Sequence, residues 1–165
     1  LLNRISLAPN EAIFVPAGNL HTYLRGFAVE VMANSDNVLR GGLTPKHVDV
    51  PELLRVLDFE PTAEARLRPH VRREGFGMVY ETPAEEFAVA LLALEGEYLG
   101  HEVDAACSHE GPQVLLCTEG ATTVHAKSGS LTLRRGMAAW VAADDGPIRL
   151  VAREPTKLFR ATVGL

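Results

Sequence analysis

From Gly75 to the end, the chain is a succession of short apolar runs cut by glycines and acidic turns. The runs fall near 76–81, 86–94, 98–103, 113–117, 121–126, 131–133, 138–142, 148–152 and 157–163. A spacing of about 8–12 residues between turn signals leaves no room for helices of ordinary length and predicts an all-β sandwich or barrel. The run 86–94 (EFAVALLAL) has helical propensity, but Val89 and the flanking strands favour β.

The first part of the chain reads differently. Residues 2–7 alternate weakly, and 12–16 (AIFVP) form a short run of β-formers. Pro16 and Gly18 then turn the chain. Leu20, Tyr23 and Leu24 suggest a brief strand, and 27–32 (FAVEVM) a further one broken by Glu30. One helix is expected near 50–58, with Asp49 as N-cap, Pro51 in the first turn and Glu52 three residues after the cap. Residues 60–75 carry two prolines and many charges, which reads as a linker or surface crossing. The expected plan is an all-β chain: a partial β domain over 1–60, a linker over 61–75 and a β-sandwich over 76–165. Because the chain opens on Leu1, inside a strand-like stretch, it is expected to be part of something longer.

Charge and composition narrow the partners. A formal charge of −5 without a clustered basic face argues against nucleic acid. Arg66, Arg68, Arg72 and Arg73 are interleaved with acids and read as solvated surface. No apolar run approaches the roughly 18 residues of a membrane-spanning helix. Two cysteines, Cys107 and Cys117, are too sparse for a disulfide framework and suggest a cytoplasmic setting, as small buried residues rather than nucleophiles. His101 and His109 read as solvent-exposed.

A faint repeat links 7–18 (LAPNEAIFVPAG) with 133–146 (LRRGMAAWVAADDG): a turn, an apolar run, a turn. The second copy lacks the proline and the histidine three residues past the glycine. It is expected to be scaffold.

Polar chemistry is concentrated in 16–47. His21, at the end of a Pro-x-Gly turn, is rigidly aimed, as a metal ligand needs to be; otherwise it is a loop histidine. Glu30 within an apolar run is costly unless paired or used, unless it faces outward. Arg40, before Gly41 and Gly42, offers a permanently charged planar fork for a phosphate or a developing oxyanion, or else an ion pair with Asp36. Lys46 can attract a phosphate or stay solvated. Tyr23 can hydrogen-bond a sugar or pack. Asp36 and Asn37 line a pocket or merely shape a turn.

The pattern N-x5-P-x-G-x2-H (Asn10, Pro16, Gly18, His21) resembles the second motif of the cupin superfamily, with Asn in place of the usual first glycine. The stretch VPAGNLHTYLRGFAVEVMANSDNVLRGGLTPKHVDVPELL resembles the C-terminal signature of the type I phosphomannose isomerases. The likeness is strong over residues 1–60 and one of pattern only beyond. It implies a cupin-type jelly roll and one zinc ion, with mannose 6-phosphate and fructose 6-phosphate as the interconverted sugars. It implies further that His21 is the last of four zinc ligands, that Arg40 is catalytic, and that Glu30, Tyr23, Asp36, Asn37 and Lys46 line the pocket. The family's Gln-x-His pair is absent; the only glutamine, Gln113, is followed by Val114 and Leu115. The remaining zinc ligands are therefore expected upstream, and the chain alone is expected to be inactive and, with unfilled sheet edges, open to self-association. The competing reading is a non-enzymatic cupin-like module for carbohydrate binding or regulation.

Overall fold

The computed structural model describes residues 2–35, 38–105 and 111–164, and the chain divides into two units, 1–69 and 70–165. The boundary falls inside the stretch read as a linker.

Among the described residues, the second unit carries ten antiparallel strands. β1 (His70–Glu74), β2 (Gly77–Glu81), β3 (Ala88–Leu94), β5 (Gln113–Glu119), β8 (Ala138–Val141) and β10 (Thr156–Thr162) make one sheet. β4 (Glu102–Asp104), β6 (Ala121–Ala126), β7 (Gly129–Arg134) and β9 (Arg149–Ala152) make the other. The orders are β1-β2-β3-β10-β5-β8 and β4-β9-β6-β7. Strand alternation puts one face of each sheet inward. Leu92, Leu94, Leu115, Cys117, Val141 and Leu158 from the first sheet meet Val124, Leu133, Leu150 and Ala152 from the second in one core. Leu158 faces Leu92 on one side and Cys117 on the other, and all three are fully buried.

The strand spacing read from the sequence holds almost throughout. The run 86–94 is strand because β3 is flanked by β2 and β10, whose ladders override its helical propensity. Strand β1 went unforeseen: its exposed charges gave no alternation, and its turn to β2 depends on Gly75 at φ +54°. Cys117 is buried and free, and burial pushes its thiol pKa up. His101 is exposed, while Cys107 and His109 lie outside the described residues.

In the first unit, α1 (Val50–Val56) forms where expected. The Asp49 carboxylate accepts the Glu52 N–H at 3.1 Å, and Glu52 turns to Arg55 instead of reaching back to the cap. A second, four-residue helix, α2 (Glu64–Leu67), lies in the charged stretch. That stretch returns to the chain start. The Phe14 N–H donates to the Leu67 carbonyl at 2.7 Å, and Arg68 pairs with Glu11 and Glu64.

The strands expected at 12–16, 20–24 and 27–32 are not formed: the described residues of 2–49 contain no ladder. A strand exists only against a partner, and none of the described segments supplies one here. Phe27, Leu24 and Met32 are consequently exposed. No helix among the described residues is long and apolar enough to cross a membrane.

Candidate functional site

The site is built on one turn. Gly18 has φ +82°, a conformation that disfavours any side chain, and the Asn19 N–H approaches the Pro16 carbonyl at 3.4 Å. The end of α1 closes over this turn. The Asp58 N–H donates to the Gly18 carbonyl at 2.9 Å, and a Cβ at position 18 would stand 3.1 Å from the Val56 carbonyl oxygen. Thr62 donates to the Asn19 side-chain oxygen at 3.1 Å. The proline, glycine and following helix of the sequence thus combine to hold four residues rigidly.

His21 leaves this turn with Nδ1 3.1 Å from the Asn19 carbonyl. With the proton on Nδ1, that bond fixes the ring and leaves the Nε2 lone pair for a cation, the arrangement typical of metal-bound imidazole. The Tyr23 ring lies edge-on to it, centroids 6.0 Å apart at 77°. Tyr23 in turn donates its hydroxyl to a Glu30 carboxylate oxygen at 2.6 Å. Accepting that bond, the carboxylate stabilises the protonated phenol, and with partial burial and its own charge it pushes the Tyr23 pKa up to about 12. His21, Tyr23 and Glu30 therefore form one connected group, all exposed.

Arg40 is exposed and precedes Gly41, whose backbone lies against the Leu20 side chain. The segments carrying His21 and Arg40 are therefore neighbours. Lys46 is exposed, with its N–H donating to the Thr44 hydroxyl at 3.2 Å. Asp36 and Asn37 lie outside the described residues. Asn19, Asp58 and Thr62 were passed over in the sequence: Asn19 lay unremarked within the turn, and nothing marked Asp58 and Thr62, about forty residues on, as its partners.

The departure at Asn10 is explained by the backbone. It has φ +68°, the left-handed conformation, which asparagine tolerates best after glycine. A single imidazole does not make a zinc site. Among the described residues no group of three His, Cys, Asp or Glu could hold an ion. The donor at His21 fits one position of a tetrahedral set and needs partners from elsewhere.

No family model matches the chain. It is 38% identical over 148 residues to the mannose-6-phosphate isomerase of Escherichia coli, covering 90% of this chain and 36% of that protein. It is 32% identical over 166 residues to the bovine (Bos taurus) enzyme of the same name, covering 97% of this chain and 38% of that one. The chain thus spans little more than a third of these relatives. Among solved structures, the Salmonella typhimurium mannose 6-phosphate isomerase bound to fructose 6-phosphate and zinc is similar at TM-score 0.67 and 32% identity, over 81% of this chain and 32% of that one. A zinc-bound holo form matches at TM-score 0.66 and 31% identity, over 80% and 32%. In sequence and in backbone, this chain matches the C-terminal portion of the mannose-6-phosphate isomerases.

Proposed function

We propose that this chain contributes the C-terminal portion of a zinc-dependent isomerase that interconverts mannose 6-phosphate and fructose 6-phosphate. The observation that carries the reading is the geometry at His21: a turn-held imidazole with Nδ1 on a backbone carbonyl and Nε2 left for a metal. Its support is the similarity to zinc-bound and substrate-bound isomerase structures.

In this reading His21 is one ligand, and the others come from residues beyond this chain. Zinc, when bound, supplies Lewis-acid polarisation of a sugar oxygen. Proton transfer between C1 and C2 falls to side chains. Glu30 is linked to the histidine through Tyr23, and it relays or orients a proton while the phenol stays protonated at any working pH. Arg40 steadies the negative charge that develops on the sugar oxygens, because its guanidinium is always charged and its fork matches two oxygens. Lys46 serves the phosphate as a point charge. Asp36 and Asn37 complete the wall. The small-molecule partner is a sugar phosphate and the setting cytoplasmic, in keeping with two sparse cysteines, one of them free and buried. The exposed apolar run around Phe27 supports self-association of the chain by itself.

The test is an assay of the polypeptide completed to the length of its curated relatives, beside the 165-residue chain. The completed protein is expected to isomerise the sugar phosphate, to lose activity to a chelator and to regain it with zinc. The short chain is expected to be inactive. Carbohydrate binding indifferent to chelator, with no turnover, would instead establish the non-enzymatic module.

A further inference from the structure

Two adjacent glycines follow Arg40, and they differ in what they are for. Gly42 has φ +133° and nothing near the place of a missing side chain, so its need is conformational. Gly41 is outside the left-handed region; what it lacks is room. A Cβ there would stand 2.3 Å from the Leu20 Cδ1, with Cγ at 3.5 Å and Cδ2 at 3.7 Å. At Gly41 the visitor is the Leu20 side chain.

The places of these two residues give the contact its meaning. Leu20 immediately precedes His21, and Gly41 immediately follows Arg40. Leu20 remains 44% exposed, so the contact is not core packing. We propose that Leu20 and Gly41 are a positioning pair, whose contact sets the spacing between the imidazole at 21 and the guanidinium at 40. The inference rests on the roles assigned above to those two side chains. Any side chain at 41 pushes the Leu20 side chain off this backbone, and the contact that spaces the two segments is lost. A leucine methyl can swing aside, so the chain still folds. The effect falls on geometry, where displacements near 1 Å cost rate heavily.

The experiment uses the completed polypeptide with Gly41→Ala, Leu20→Ala and both together. Gly41→Ala is expected to lower kcat roughly tenfold with KM within about twofold, and to leave the zinc content and melting temperature unchanged. The double variant is expected to return to the milder level of Leu20→Ala alone, because the Leu20 methyl that the new side chain would strike is gone. Wild-type kcat in Gly41→Ala, or costs that simply add, overturns the proposal while leaving the isomerase reading intact. A completed wild-type protein without isomerase activity overturns that reading, and the pair's role with it. In the 165-residue chain, a nuclear Overhauser contact between a Leu20 methyl and the Gly41 α-protons is expected, and its absence refutes the packing.

Discussion

The chain makes the same turn twice, and the two copies have gone different ways. At 8–11 the Glu11 N–H donates to the Ala8 carbonyl at 3.1 Å around Asn10 at φ +68°. At 134–137 the Met137 N–H donates to the Arg134 carbonyl at 2.8 Å around Gly136 at φ +85°. An apolar run follows in each, and each closes on a left-handed glycine, Gly18 at +82° and Gly146 at +70°. In the second copy the run is β8, paired to β5 through Val114 and Trp140. In the first it forms no ladder with any described residue. Three residues past the closing glycine stand His21 in one copy and Arg149 in the other. Arg149 is an ion-paired cation, 2.9 Å from Glu102, and has no lone pair to offer a metal. The copies share a frame, and in the proposed reading the metal-binding position on it is histidine in one copy and arginine in the other.

The largest effect should come from exchanging the fate of those two positions. In the completed polypeptide, His21→Ala is expected to reduce activity and zinc retention by roughly 100-fold or more, as measured by turnover and metal analysis. Arg149→Ala, which removes only an exposed ion pair, is expected to stay within about twofold. Equal losses would end the distinction between the copies.

Next comes packing. Leu158→Ala opens a hole at the centre of the second unit and should cost about 2–5 kcal/mol in denaturant unfolding. Phe27→Ala in the first unit of this chain should cost nothing measurable, since the ring is fully exposed.

The two turns themselves differ less. Gly136 has open space beside it, so Gly136→Ala pays only for its positive φ and should destabilise by about 1 kcal/mol. Asn10→Gly should change stability by less than about 0.5 kcal/mol, because glycine is at home in that conformation.

The smallest effect is spectroscopic. Tyr23 and Tyr80 both have raised phenol pKa values, Tyr23 chiefly by its bond to Glu30 and Tyr80 by burial. A raised folded-state pKa favours the folded chain below the ordinary value near 10, and that contribution fades as pH climbs through about 12. In ultraviolet titration, Glu30→Gln should lower the Tyr23 pKa toward 10 and leave Tyr80 where it is. A Tyr23 pKa unmoved by that change would break the proposed link from His21 to Glu30.

How much of this was legible varies by unit. In the second unit, glycines and apolar runs marked nearly every strand, because each strand there finds its partner within the unit. Strand β1 escaped notice because its exposed charges hide the alternation. In the first unit, the helix after Asp49 was legible from its cap. The runs at 12–16 and 27–32 were misread as formed strands, because propensity says nothing about whether a partner is present. The turn before His21 was visible in Pro16 and Gly18. Its support by Asp58 and Thr62 was not, because those contacts span about forty residues of chain.

The sequence alone determined the local conformations: the left-handed turns at Asn10 and Gly18, the capped helix at Asp49, and the alternation that makes a two-faced sheet. These depend on near neighbours and on the sterics of single residues. Only the tertiary structure decided that Tyr23 reaches Glu30, that α1 closes on Gly18 and that Leu20 lies against Gly41. Those contacts join positions from seven residues apart, at Tyr23 and Glu30, to about forty, at Gly18 and Asp58, and single-residue preferences do not encode which group will arrive.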